Sequence, residues 1–97
     1  MTLRIFEETG ETVDVVSLHG WLSHDEVEEL ERVAAGHGRP VEIDLGNLAR
    51  VDPDGQRALV RLRAGGARLT GASPYLDLLL ERTDEAGNRA RDNGGDR

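Results

Sequence analysis

Polar and apolar residues alternate in two segments near the start of the chain, 2–8 and 13–18. Alternation with period two is typical of β-strands that bury one face. The residues between the segments include Gly10, which can adopt the positive φ of a tight turn. We therefore predict a β-hairpin, and we expect Gly20 to end its second strand.

A third alternating segment lies in the middle of the chain, at 41–45. Its sequence VEIDL places valine, isoleucine and leucine on one side and two acidic residues on the other. This pattern predicts a central strand that Gly46-Asn47 breaks. Residues 67–70 are expected to form a brief last strand.

Between the second and third strands, the apolar residues of 27–34 recur at helical spacing. Ser23 and Glu26 have the spacing of a capping box, in which two side chains satisfy two free backbone N–H groups. Gly36 is a suitable C-terminal stop. The pattern predicts a first helix.

A second helix is predicted over 53–64. Asp52 can accept a hydrogen bond from a free N–H of its first turn, and Pro53 suits the first helical position. Asp54 then places a carboxylate against the positive end of the helix dipole. Arg57 and Arg61 are expected to share the outer face.

Ser73-Pro74 begins a third helix by the same cap-then-proline pattern. Its apolar stripe is expected to contain Tyr75, Leu76, Leu79 and Leu80. Residues 83–97 have almost nothing to bury, so a disordered tail is expected there. The chain is predicted to be one domain over 1–82, with elements in the order β-β-α-β-α-β-α.

The amino-acid composition excludes several kinds of chemistry for this chain. The 97 residues contain no cysteine and no lysine, which excludes disulfides, thiolate nucleophiles and lysine Schiff bases. The longest apolar runs are far below the ~20 residues of a membrane span, and no signal peptide is recognisable. A cytoplasmic protein without direct membrane insertion is expected.

The net charge of −7 argues against nucleic-acid binding, because phosphates would be repelled. The charge is also unevenly distributed. Residues 23–36 have a net charge of −4, whereas residues 50–68 have a net charge of +3. These are two solvated helix faces or an acidic and a basic docking face for protein partners.

The spacing of Asp44-Leu45, Leu48 and Val51-Asp52-Pro53-Asp54-Gly55 resembles the signature of the STAS family. That family is named for sulphate transporters and anti-sigma factor antagonists. Its signature is a strand ending in Asp-Leu, then a hydrophobic residue, then an apolar residue and Asp-Ser-Ser/Thr-Gly opening a helix. The segment 18–23, LHGWLS, is similar to the family's Leu-x-Gly-x-Leu-Asp/Ser. The resemblance covers roughly residues 2–82.

The resemblance implies an α/β, STAS-like fold, with a small mixed sheet and helices packed on it. It also implies a bacterial, non-catalytic interaction module that regulates transcription by binding an ATP-binding anti-sigma kinase. Asp54 occupies the position that family members phosphorylate, and Pro53 replaces the neighbouring serine. Asp54 is therefore either a fixed, partial mimic of a phosphorylated residue or only a helix-terminal carboxylate.

The partner-binding surface is expected at the start of the second helix and on its outer face. Gln56 and Arg57 stand where family members usually have leucine and glycine, which suggests a different partner or no partner of that kind. Trp21, on a predicted surface loop, is either a packing residue or an interface anchor. The predicted surface residues are Trp21, Ser23, Asp52, Pro53, Gly55, Gln56, Arg57 and Arg61.

Two further interpretations stay open. Short STAS proteins also serve as subunits of membrane ABC-type lipid transport complexes, where the partner is the ATPase. An orphan domain could instead bind a small anion at the N-terminus of the second helix, although Asp54 would repel it. The sequence also leaves a homodimer open.

Enzymatic and metal chemistry find little support in the sequence. Asp52 and Asp54 lack the further oxygen ligands of a calcium loop. The three histidines do not share one helical spacing, and no cysteine accompanies them, so no zinc site is expected. No nucleophile elbow or phosphate-binding loop is recognisable. We expect no enzyme activity, no metal and no cofactor.

Overall fold

The computed structural model describes residues 3–83, which form a four-stranded sheet and three helices. The predicted element order and the mixed sheet are confirmed. The elements are β1 (Leu3–Glu8), β2 (Asp14–Leu22), α1 (His24–Ala35), β3 (Val41–Val51), α2 (Pro53–Ala64), β4 (Arg68–Thr70) and α3 (74–83).

The strands lie in the order β1-β2-β3-β4. β1 and β2 form the predicted antiparallel hairpin, whereas β2, β3 and β4 are parallel. α1 and α2 are the two crossover connections, and such connections are almost always right-handed. Because both crossovers move in the same direction across the sheet, the two helices lie side by side on one face, where they contact each other.

The core is aliphatic and lies between the helices and one face of the sheet. Val16, Leu18 and Ile43 on the strands are fully buried, as are Leu30 of α1 and Leu59 of α2. Leu76 and Leu80 of α3 complete the cluster. The residues that alternate with the buried ones along the strands are half-exposed or exposed. The other face of the sheet therefore carries no helix from residues 3–83.

The prediction that Gly20 ends the second strand is wrong. β2 continues to Leu22, and Gly20 stands inside it with φ of 101°. The pairing with β3 shifts register on both sides of this segment. The extra residues of this bulged pairing lie in β3, and Gly20 supplies the positive φ that β2 adopts opposite them without ending. Trp21 is consequently a strand residue and not a loop residue.

The prediction that Gly46-Asn47 breaks the central strand is also wrong, because β3 runs for 11 residues to Val51. The same register shifts insert extra residues into β3. Leu48 and Val51 therefore return to the core although they do not continue the period of two. A pattern based on strict alternation misses a bulged strand.

Helix α2 has the predicted bounds, and Gly65 is its C-cap. α1 ends at the predicted Gly36. In α3 the hydroxyl of Ser73 accepts the predicted hydrogen bond from the Leu76 N–H at 3.1 Å. Tyr75, however, is 71 % exposed and does not belong to the buried stripe.

The expected disordered tail, 83–97, lies outside the described residues apart from Thr83, which is in α3. Among residues 3–83, no helix has the length and apolar character that would cross a membrane.

Candidate functional site

The carboxylate of Asp52 joins the N-termini of α1 and α2. One oxygen accepts a hydrogen bond from the Gly55 N–H at 2.8 Å, which is the predicted cap of α2. The other oxygen accepts from the His24 N–H, also at 2.8 Å, at the start of α1. The free N–H groups of a helix start need such acceptors. One side chain therefore fixes two helix starts next to each other.

Asp54 lies in the first turn of α2 and is bound by a residue of each helix. His24 Nδ1 is 2.9 Å from one carboxylate oxygen, and the Arg57 guanidinium donates to the other. The hydrogen bond from Arg57, with a smaller contribution from His24, holds the pKa of Asp54 below its usual range. The side chain is 42 % exposed, so Asp54 presents a lasting negative charge to solvent.

Ser23 is the N-cap of α1, but the capping box predicted with Glu26 does not form. The Ser23 side chain accepts no hydrogen bond from the helix, and its hydroxyl donates to the Glu26 carboxylate instead. The Glu26 N–H is satisfied by the backbone carbonyl of Ser23 at 3.0 Å. The expected side-chain cap is replaced by the distant carboxylate of Asp52, which sequence spacing within α1 cannot reveal.

Gly55 is buried where α2 meets the end of β2. A Cβ at this position would lie 2.8 Å from the Leu22 carbonyl oxygen and 2.7 Å from a methyl group of Val51. Both contacts are closer than a real Cβ tolerates. Glycine therefore allows the first turn of α2 to approach the strand, which brings Asp52 within reach of His24.

The other predicted site residues lie around this turn in different settings. Pro53 is exposed at the first helical position. Gln56 is half-buried and accepts a hydrogen bond from the Thr83 hydroxyl at 3.0 Å, so it faces α3. Trp21 lies on the helix-free face of the sheet, with the Arg50 guanidinium 5.1 Å from its ring centroid.

The oppositely charged segments found in the sequence meet in the fold. Arg61 on the outer face of α2 donates two hydrogen bonds to one oxygen of Glu31 in α1, at 2.7 and 3.1 Å. At the helix starts, His24 of α1 pairs with Asp54 of α2, so there the carboxylate belongs to α2. Part of the charge that could serve two separate docking faces is thus satisfied between the two helices.

A second polar cluster, which the sequence analysis missed, lies where β2 and β3 begin. Asp14 is buried, and its carboxylate is 2.7 Å from His37 Nδ1 and 3.2 Å from Arg39 Nε. His37 Nε2 is 2.9 Å from Glu7. The hydrogen bond between Asp14 and His37 lowers the pKa of Asp14 and raises that of His37.

The sequence pattern of the second strand contained a signal for this cluster. Asp14 has the same strand parity as Val16 and Leu18, so it lies on the buried face. A carboxylate there needs partners, because burial without hydrogen bonds is costly.

Positions 53 and 54 are proline and aspartate, and neither side chain has a hydroxyl group. Neither residue can therefore be phosphorylated as serine or threonine is. Within residues 3–83, no group of three or more histidine and carboxylate side chains could hold a metal ion. The arrangement is suited to presenting a charge and hydrogen-bond groups to another molecule.

A scan of protein-family models finds no match for this chain, and a search of curated proteins finds no similar sequence. Solved structures do match. The unphosphorylated form of the anti-sigma factor antagonist SpoIIAA is 21 % identical, with a TM-score of 0.63 over 91 % of this chain and 98 % of that one.

A STAS-domain antisigma-factor antagonist from Rhodobacter sphaeroides is 23 % identical, with a TM-score of 0.54 over 72 % of this chain and 87 % of that one. The structure of Mglu is 24 % identical, with a TM-score of 0.58 over 71 % of this chain, which spans only 19 % of Mglu. Identities this low establish shared architecture alone. The chain therefore has the fold of the STAS-domain anti-sigma factor antagonists.

Proposed function

We propose that this chain is a non-catalytic module that binds a regulatory partner protein through the start of α2. The binding region, called here the helix-start surface, consists of Ser23, Asp52, Pro53, Asp54 and Arg57. The observation that carries the proposal is Asp54, a half-exposed carboxylate held between His24 and Arg57 at the start of α2. SpoIIAA, which has the same fold, is an anti-sigma factor antagonist.

In this proposal Asp54 is a fixed negative charge where family members carry a reversible phosphate. A phosphorylated serine has a charge of about −1.5 to −2 and three acceptor oxygens. Aspartate has one charge and two oxygens on a shorter side chain, so it reproduces the phosphate only in part. The partner would recognise a constant state of the surface and not a switch.

The contacts of Asp54 support a permanent charge. A carboxylate has about four acceptor positions, and His24 and Arg57 occupy one on each oxygen. The remaining positions are available to a donor of the partner. Arg57 also keeps the pKa of Asp54 low, so the group stays ionised at any physiological pH.

The test begins with the partner captured from the native cells and uses three variants of this chain. Asp54→Ser should weaken partner binding about 10-fold or more, because the charge-assisted hydrogen bond from the partner is lost. Asp54→Glu, which keeps the charge, should change the affinity less than about threefold. Calorimetric titration measures both affinities.

Glu29→Ser is the matched control, since it removes an exposed carboxylate from α1 outside the helix-start surface. It should leave the affinity unchanged. Equal effects of Asp54→Ser and Asp54→Glu would show that the charge is not what the partner recognises. An anti-sigma kinase as the captured partner would place the chain in transcription regulation, whereas an ABC ATPase would place it in lipid transport.

A further inference from the structure

The helix-free face of the sheet, called here the outer face, has a regular arrangement that the helix-start surface does not use. The strand register places its residues in four rows across the sheet. The rows are Glu8, Val15, Glu42 and Arg68; Phe6, Ser17, Asp44 and Thr70; Arg4, His19 and Asn47; Trp21 and Arg50.

Two side-chain contacts join neighbouring residues of the outer face. The rings of Phe6 and His19 meet edge-on at 4.7 Å, although they come from different strands. Arg50 of β3 lies over Trp21 of β2. Phe6 is 51 % exposed and Trp21 is 37 % exposed, so two large rings of the outer face reach solvent.

The two ends of the outer face differ in charge. The first two rows contain Glu8, Glu42 and Asp44, with Arg68 at the edge strand β4. The last two rows contain no acidic residue and include Arg4 and Arg50. One end is mainly acidic and the other is basic and aromatic, which is the pattern of a surface that complements itself when reversed.

We propose that the outer face binds the outer face of a second copy of this chain, with the strands of the two copies antiparallel. The two-fold axis lies in the plane of the interface, parallel to the rows and between the second and third row. It brings each strand opposite the same strand of the other copy, and the first row of one copy opposite the last row of the other. The contact is then isologous, and each pair of residues occurs twice.

Each pairing produced by this axis joins compatible side chains. Glu42 lies opposite Arg50 of the second copy, and Val15 lies opposite its Trp21. In the inner rows, Phe6 lies opposite Arg4, which suits a cation–π contact, and Asp44 lies opposite Asn47, which can donate to it.

The other two-fold arrangement has its axis along the strands. With this axis on β2, Glu8 lies opposite Glu42 of the second copy, and like charges in contact are unfavourable. With the axis between β2 and β3, Glu8 meets Arg68, but Glu42 lies opposite the apolar Val15 and has no cationic partner. The antiparallel arrangement pairs Glu42 with an arginine, so charge complementarity favours it.

The size of the outer face determines how strong the contact can be. Four strands about 4.8 Å apart and roughly 24 Å long present a plane of about 450 Å². This area is below the ~800 Å² per partner of a standard stable interface. We therefore expect a reversible dimer that forms as the protein concentration rises from micromolar to millimolar.

Sedimentation equilibrium of the full chain and of two charge reversals tests the proposal. Glu42→Arg places two arginines opposite each other in the dimer, and Arg50→Glu places two glutamates opposite each other. Each variant alone should dimerise about 10-fold or more weakly than the parent chain. An equimolar mixture should recover the association, because both Arg–Glu pairs form again in the mixed dimer.

Recovery in the mixture separates the proposed contact from a general loss of folding, which mixing cannot repair. Glu28→Arg is the matched control, since it makes the same charge change on an exposed position of α1, and it should leave dimerisation unchanged. A parent chain that stays monomeric at all concentrations would overturn the proposal. So would a dimer that neither variant weakens, because it would use another surface.

Discussion

At the scale of single residues, Asp52 has the most consequences for the site. Its two carboxylate oxygens bind the N–H groups of His24 and Gly55, which belong to different helices. A sequence pattern identifies the second contact, because a helix cap is local in the chain. It cannot identify the first, because His24 lies 28 residues away.

Asp52→Ala should lower the free energy of unfolding by about 1–3 kcal/mol, since a cap contributes about 0.5–2 kcal/mol and two helix starts lose an acceptor. Asp52→Asn should cost less, because its amide oxygen still accepts one of the two bonds. Chemical denaturation measures both values. Asp25→Ala, which removes another carboxylate from the first turn of α1, should cost less than about 1 kcal/mol. If Asp52→Ala cost no more than this control, the double cap would contribute nothing to stability.

Gly55 is a second residue whose role depends on a long-range contact. Gly55→Ala should destabilise the fold by about 1–3 kcal/mol, because the added methyl group meets the Leu22 carbonyl and Val51 at less than 3.0 Å. Gly38→Ala is the matched control, since a Cβ there meets no atom within 4 Å. Equal unfolding free energies for the two variants would contradict the close approach of α2 to β2.

At the scale of elements, local chemistry predicted the helices better than the strands. The Asp-Pro start and the Gly-Gly end fixed the bounds of α2, because caps and stops act within a few residues. The ends of β2 and β3 were missed because Gly20 and Gly46 occur inside two strands whose mutual pairing is bulged. Whether a glycine ends a strand or bends it depends on the pairing strand, which the local sequence does not contain.

The cluster of Glu7, Asp14, His37 and Arg39 joins β1, β2 and the loop before β3, and it predicts a pH dependence of stability. The contacts that raise the pKa of His37 stabilise the fold fully at a pH below the ordinary value of 6.5. This contribution is lost as the pH rises through the raised pKa. The lowered pKa of Asp14 stabilises the fold above its ordinary value of 3.8, and this contribution is lost as the pH falls through the lowered pKa. The contribution of the pair is therefore largest between pH 3.8 and 6.5.

Denaturation measured from pH 3.8 to well above 6.5 follows the plateau and the loss on its alkaline side. His37→Asn should lose most of the decrease in unfolding free energy on the alkaline side. His19→Asn is the control, since the His19 ring packs on Phe6 and not in this cluster. The same alkaline slope in the parent chain and in His37→Asn would show that the cluster does not couple protonation to folding.

At the scale of the whole molecule, the two proposed contacts use different faces. The helix-start surface lies at the N-termini of α1 and α2, and the outer face lies on the side of the sheet without helices. They approach each other at the ends of β2 and β3, where Trp21 precedes Ser23 by two residues and Arg50 precedes Asp52 by two residues. A dimer through the outer face would leave Asp54 available to the partner protein.

The central claim is that the partner protein binds at the helix-start surface. The most direct measurement is an NMR titration of the ¹⁵N-labelled chain with the captured partner. We expect the amide signals of His24, Asp54 and Gly55 to change first, and we expect Asp54→Ser to weaken the affinity measured from them. Changes confined to the outer face or to α3, with those three signals unaffected, would contradict it.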